Sequence, residues 1–254
     1  MNDDSWNRVR RVALAIPAYN EADGIAGFIG DLDGVLDLFC DEHTFVIIND
    51  VSTDDTVSVL QALAPKLAGN LILETNAVNS GHGPTVLNAY DRALATDTEW
   101  VLQVDGDGQF EAEDIELLFR HASGGAPMVT GRRVVRFDPW YRKVVSKILP
   151  GMLRLGFGVR RVDINCPFRL YRADVLREIL AEVPDAAYTP HVLMTVLEDR
   201  RPERHVEVPV QHRPRRGDTE AGTMFGARNI LIPKKLMLFL RDSFVQLVEF
   251  RRSL

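Results

Sequence analysis

Two aspartates, Asp105 and Asp107, stand one residue apart in the stretch QVDGDGQFEAED (residues 103–114), with glycines between and after them. Carboxylates at that spacing can hold a divalent cation between hard oxygen ligands. The glycines let the chain turn sharply and let a large ligand approach the backbone. A bound Mg²⁺ or Mn²⁺ would bridge a diphosphate and neutralise charge on a departing nucleotide. The same residues also suit an ordinary Asp-Gly turn. Glu111, Glu113 and Asp114 fit the first turn of a following helix, where the dipole favours acidic side chains.

Three further polar clusters have the same setting, each at the end of a short apolar run. PAYNE follows the run at 11–16, NDVSTDD follows 44–48, and NSGHGPT follows 70–76. Asp50 ends the second run, where a carboxylate can meet a base or ribose, whereas Asp54 and Asp55 read as caps of the next helix. The loop NSGHGPT could turn backbone amides toward phosphate or ribose. It is not a dinucleotide fingerprint, because it follows the third run and lacks G-x-G-x-x-G. His82, His191 and His212 are isolated and lack metal-ligand spacing. No serine sits in a nucleophile-elbow pattern, so hydrolase chemistry has no support.

The elements that must position these clusters alternate. Strands are predicted at 11–16, 44–50, 70–76 and 100–105, and helices at 22–39, 56–67, 85–95 and 111–123. The strands are apolar throughout rather than alternating, which predicts a parallel sheet covered on both faces. Ligands of such sheets bind at the carboxyl ends of the strands, and all four clusters fall there. Beyond residue 126 the pattern is less regular. It allows a strand at PMVTGRR, a basic helix at 140–157, a strand or turn into a helix at CPFRLYRADVLREIL, a strand at RHVEVPVQH, and a last helical segment at 228–250.

With 254 residues, 46% hydrophobic and 26% charged, the composition is that of a globular chain with a sizeable core. Cys40 and Cys166 form neither a disulfide framework nor a zinc spacing, which fits a reducing cytosol. The polar N-terminus is not a signal peptide, and no apolar run approaches the roughly 20 residues of a membrane span. The net charge of −6 hides a basic block: residues 131–172 hold eleven Lys or Arg against Asp138 and Asp163. That block suits solvated helix faces, or a surface turned to phosphates or an anionic membrane. No aromatic-rich basic motif accompanies it, so nucleic acid is not an expected partner.

Together the motifs resemble those of the family-two inverting glycosyltransferases with the GT-A fold, and are most similar to the polyprenyl- and dolichyl-phosphate sugar synthases. The resemblance covers about residues 11–220. It rests on IPAYNE (16–21), NDVSTDDT (49–56), NSGHGPT (79–85), VDGDGQFEAED (104–114), GRR (131–133), WYRKVVS (140–146) and DINCPFRLYR (163–172). It implies an α/β GT-A domain over residues 1–227, with a nucleotide-sugar half at about 11–125 and an acceptor half at about 126–227. An amphipathic helical tail is expected at 228–254, lying in a membrane interface or packed on the core or on a second copy of the chain.

The resemblance also implies roles. Pro17, Tyr19, Glu21 and Asp50 would hold base and ribose, with Asn79, Gly83, Asp105 and Gly106 lining the same pocket. Asp105, Asp107 and Gln109 would surround the Mg²⁺ or Mn²⁺ and the diphosphate. Arg133, Arg142 and Ser146 would meet the acceptor phosphate, and Arg169 would support the diphosphate or acceptor. Asp107, Asp163 and Arg169 are the catalytic candidates, with Asp163 either a general base or the partner of a nearby arginine. Three departures stand out: Asn49 where an aspartate is usual, Asp55 where a glycine is usual, and a loop RPRRGDTEAGTMFG (213–226) with no lysine. Arg215 or Arg216 is the candidate diphosphate clamp there. The implied partners are a GDP- or UDP-hexose and a polyprenyl phosphate, and the protein could form a homo-oligomer. The expected location is cytoplasmic, with peripheral contact on the inner membrane face. Transfer to a soluble hydroxyl acceptor, or nucleotide-sugar binding without turnover, are the other readings.

Overall fold

The computed structural model describes residues 8–134, 140–216 and 234–254. One seven-stranded sheet organises them, built from β1 (Val9–Ala18), β2 (Cys40–Asn49), β3 (Asn70–Thr75), β4 (Trp100–Val104), β5 (Met128–Arg133), β6 (Phe168–Arg172) and β7 (His205–Val210). Their spatial order is β3-β2-β1-β4-β6-β5-β7. All neighbours are parallel except β6, which runs antiparallel to both β4 and β5. The expected α/β architecture with a mainly parallel sheet is therefore found.

Helices cover both faces. On one side α1 (Ile25–Phe39), α2 (Thr56–Leu63) and α4 (Ile115–Ser123) bury Ile25, Phe28, Leu32, Leu60, Ile115 and Leu118 against Leu14, Ile16, Phe45 and Ile47. On the other, α3 (His82–Leu94), α6 (Ala173–Leu180) and α7 (Pro190–Asp199) pack on Ala13, Ala15, Val46 and Ile48. The small side chains of Ala13, Ala15, Ala89 and Ala93 share that second cluster and let α3 lie close to β1. Burial on both faces explains the uninterrupted apolar runs of β1 and β2. Each fully buried Leu, Ile or Phe there stabilises the fold by about 1.5–3 kcal/mol. α5 (Trp140–Phe157) and α8 (Lys234–Ser253) complete the chain. Leu153 of α5 and Leu247 and Phe250 of α8 join the second cluster, and the Phe157 and Phe250 rings meet at a tilt with centroids 6.4 Å apart.

Two elements depart from expectation. α3 begins at His82 rather than 85, because Gly81 takes a left-handed φ of 82° and HGPT forms the first helical turn. α7 has no counterpart in the pattern of the sequence. Pro190 to Glu198 are all buried, so the helix lacks the polar stripe that reveals a period. Cys40 and Cys166 are buried free thiols, each pushed up to about 12 by burial.

Candidate active site

β1, β2, β3 and β4 are mutually parallel, so the segments leaving them emerge at one edge. Two residues there hold left-handed backbone without being glycine, Asn20 at φ 53° and Val51 at φ 61°. A β-branched residue rarely accepts that conformation, and such strain concentrates at functional sites. Cross-links between the loops sustain it. Ser52 Oγ accepts from the Asn20 amide at 3.0 Å, Asn20 Oδ1 accepts from the Thr53 amide at 2.8 Å, and Asn49 Oδ1 accepts from the Ser52 amide at 3.1 Å. Of the two expected caps of α2, Asp55 stands at the N-cap but makes no side-chain cap bond, whereas Asp54 accepts from the Thr56 amide and also takes the Ala22 amide.

Asp50 organises the loop after β3. Its Oδ1 accepts from the Ser80 amide and Asn76 Nδ2, each at 2.8 Å, and its Oδ2 accepts from the Gly81 amide at 2.9 Å. Asn79 Nδ2 donates to the Asp50 carbonyl at 2.9 Å. The Ser80 and Gly81 amides, expected to be open to phosphate or ribose, thus point into the fold. Asn76, which the motifs do not single out, links Asp50 to Thr85 and Asn88 of α3. Gly83 is a packing residue: a Cβ there would lie 2.2 Å from the Ala187 carbonyl oxygen.

At the end of β4, Asp105 faces α3. Gln103 Nε2 donates to its Oδ1 at 3.0 Å, and His82 Nε2 lies 3.9 Å from its Oδ2. Burial raises the Asp105 carboxyl above its ordinary value, opposed in part by His82, the Gln103 bond and Arg133. The sequence leaves His82 isolated; its place as first residue of the helix after β3 is the signal that connects it to β4. The Gly106 amide donates to the Pro17 carbonyl at 3.3 Å, and Tyr19 is exposed at the same edge. Asp107 is part-exposed, and its Oδ1 accepts from the Gln109 amide at 3.1 Å.

The residues present fit a divalent metal of one kind. Among the described residues no three His, Cys, Asp or Glu side chains converge to cage an ion. Two oxygen-bearing carboxylates, Asp105 with its charge disfavoured by burial and Asp107 part-exposed, match a cation that completes its shell with substrate phosphates and water, the habit of Mg²⁺ and its oxygen-seeking analogues.

The segment after β7 crosses this edge. Phe110 and His212 form an antiparallel bridge, Arg213 and Gln109 bond through their backbones at 2.8 Å, and the Arg216 amide donates to the Asp107 carbonyl at 3.1 Å. Gln109 was expected beside the metal; its Nε2 instead donates to the Arg213 carbonyl at 3.0 Å. Arg215 pairs with Glu21, so both are engaged with each other at the mouth. Arg216 turns away to α1, pairing with Asp31 at 2.6 Å and lying 5.8 Å above the Phe28 ring. Gly108, at φ 67°, and Gly24 leave the space it fills.

The acceptor-half candidates separate. Asp163 engages Arg133 in a two-pronged pair, at 2.8 Å to Nε and 2.7 Å to Nη2, which makes it the partner of an arginine. Arg169, expected near the diphosphate, is 1% exposed beneath the sheet. It donates to the Cys166 carbonyl, Thr195 Oγ1 and Glu198 at 2.7, 3.0 and 2.7 Å. Arg161 also meets Glu198, at 2.5 Å, and Arg172 meets Asp174. Much of the basic block is therefore neutralised internally. The side chains of Arg142 and Ser146 lie outside the described residues, as does the loop from 217.

A mainly parallel sheet flanked by helices, with polar loops and carboxylates gathered at the carboxyl edge of β1–β4, has the GT-A type of fold. The chain matches the profile of glycosyl transferase family 2 over residues 13–180, and it belongs to that family. It is 24% identical over 220 residues to the undecaprenyl-phosphate 4-deoxy-4-formamido-L-arabinose transferase of Edwardsiella ictaluri (strain 93-146), covering 86% of this chain and 65% of the relative. The enzyme of that name from Proteus mirabilis (strain HI4320) is 24% identical over 217 residues, at 85% and 64% coverage. The chain thus spans slightly under two thirds of the length of these relatives. Among solved structures, glucosyl-3-phosphoglycerate synthase from Mycobacterium tuberculosis with phosphoglyceric acid superposes with a TM-score of 0.65 at 17% identity, covering 96% of this chain and 80% of that one. The same synthase with Mn²⁺, UDP-glucose and glycerol 3-phosphate gives 0.62 at 18% identity, with the same coverage.

Proposed function

We propose that this protein is an inverting glycosyltransferase that moves a hexose from a nucleoside diphosphate donor to a polyprenyl phosphate. The observation that carries the reading is the convergence of Asp105 and Asp107 with the loops after β1, β2 and β3 at one sheet edge. Asp105 and Asp107 would hold Mg²⁺ or Mn²⁺, which supplies charge neutralisation for the leaving nucleoside diphosphate. Asp50 fixes the 79–81 loop that walls the nucleotide pocket, and Pro17, Tyr19 and Gly106 border it. Arg215, drawn from Glu21, is the guanidinium best placed to meet the diphosphate; Arg216 is held by α1.

Two observations support a phosphate acceptor. The curated relatives carry undecaprenyl phosphate in their names. A phosphate oxygen is already ionised at neutral pH and needs no general base, which suits an Asp163 committed to Arg133. Asp163 then serves by aiming Arg133, and Arg169 by bracing β6 against α7. Among the described residues no helix is long and apolar enough to cross a membrane. α8 nevertheless exposes Phe244, Val245 and Val248 beside Arg241, Arg251 and Arg252, which supports peripheral contact with a lipid surface.

The structural neighbours with UDP-glucose and phosphoglyceric acid favour a second reading, UDP-linked transfer to a soluble phosphorylated hydroxyl acceptor. Incubation with Mn²⁺, labelled UDP- and GDP-sugars, and either undecaprenyl phosphate or phosphoglyceric acid separates the two. The first reading expects label in the lipid phase. Label only in the soluble acceptor establishes the second, and release of neither product removes both.

A further inference from the structure

Gln103 begins the motif that holds the two aspartates, yet a glutamine is an unexpected residue for its place. It lies within β4, 0% exposed, with Val101, Leu102 and Val104 around it. Strand alternation puts Gln103 and Asp105 on the same face of the sheet. Its Nε2 donates to Asp105 Oδ1 at 3.0 Å. Its Oε1 has no hydrogen-bond partner among the described residues. The amide cannot usefully turn over, since that would set two acceptor oxygens against each other with no proton between them.

The neighbouring strands do not relieve the oxygen. Ala15 sits beside Gln103 on β1 and has no polar side chain. Arg169 sits opposite on β6, but its guanidinium is directed to Cys166, Tyr171, Glu198 and Thr195. A buried acceptor left unpaired destabilises the fold, and a leucine or methionine of similar volume would carry no such penalty. The contact that distinguishes glutamine from those residues is the bond to Asp105.

We infer that Gln103 is a positioning residue that fixes the rotation of the Asp105 carboxylate, holding Oδ1 inward and leaving Oδ2 turned to the strand-end mouth beside His82. The inference rests on the proposed metal and diphosphate role of Asp105. It assigns Gln103 to the shell that orients a ligand without touching it.

The test compares Gln103→Leu, Gln103→Met and Asp105→Asn with the parent protein. Thermal unfolding reports stability, titration calorimetry with UDP in the presence and absence of Mn²⁺ reports nucleotide binding, and the paramagnetic signal of free Mn²⁺ reports metal uptake. Gln103→Leu is expected to match or exceed the parent in Tm, to bind metal-free UDP unchanged, and to lose roughly tenfold in Mn²⁺ affinity. Unchanged Mn²⁺ affinity in both Gln103 variants, with loss in Asp105→Asn, overturns the inference and leaves the site reading intact. Full Mn²⁺ affinity in Asp105→Asn overturns both. If Gln103→Leu does not fold, Gln103→Met carries the comparison, and equal loss of metal-free and metal-dependent binding in it marks a structural role and overturns the inference.

Discussion

Glu198 offers the sharpest test of how β6 and α7 are held together. It is 0% exposed on α7 and receives Arg169 at 2.7 Å, Arg161 at 2.5 Å and the Tyr171 hydroxyl. Burial alone would raise its carboxyl, but the two guanidiniums overcome that and hold it at about 2, against an ordinary 4.5. At about 1.4 kcal/mol per pH unit, that gap corresponds to about 3 kcal/mol of folding free energy. Removing one member of a buried ion pair costs about 3–5 kcal/mol, an independent figure of the same size. Glu198→Gln keeps the volume and an acceptor but deletes the charge. At neutral pH the variant is expected to unfold about 6–12 °C below the parent.

The sign follows from the depressed value. The stabilisation is fully present above pH 4.5 and is lost as pH falls toward 2. The gap between parent and variant should therefore narrow over that window in parallel denaturation series. A gap below about 1 kcal/mol at pH 7, or one that stays constant down to pH 2, would refute the reasoning.

Three further outcomes are expected. Gly83→Ala would drive a methyl into the Ala187 carbonyl at 2.2 Å, displacing the first turn of α3 and His82; a loss of about 1–3 kcal/mol in urea denaturation should accompany weaker nucleotide binding. Asp50→Asn replaces an acceptor oxygen of the 79–81 loop with a donor, leaving the Ser80 or Gly81 amide unmatched; hydrogen exchange at those amides should accelerate while the core strands stay protected. Asp33 binds His43 at 2.7 Å and the Ala68 and Gly69 amides at 2.9 and 3.0 Å. Burial raises its carboxyl, but these contacts together hold it below the ordinary 3.8. Its contribution is therefore present above pH 3.8 and lost below it, and Asp33→Asn should flatten the acid limb of the parent's stability profile in that range alone.

The first four strands and their helices are largely legible because their physics is local. Continuous apolar runs such as RVALAI and FVIIN mark strands buried on both faces, and polar residues at their ends mark the ligand edge. What escaped the sequence depends on partners far along the chain. Arg133 and Asp163 are 30 residues apart and Arg169 and Glu198 are 29 apart, so no spacing distinguishes an arginine paired inside the fold from one facing a phosphate. Asp50 likewise reads as an open carboxylate until the 79–81 amides fold back upon it. α7 escaped because a helix buried all round has no period to read.

Among the described strands, β6 alone runs against its neighbours. Because of that reversal, β5 ends, and β6 begins, at the same rim as the loops after β1–β4. The excursion 134–167, which includes α5, thus departs from and returns to one side of the sheet. It is anchored to the rest of the fold by Leu153 in the second cluster, by Asp163 on Arg133 and by Arg161 on Glu198, so any change in its length acts on α7 as well as on the rim.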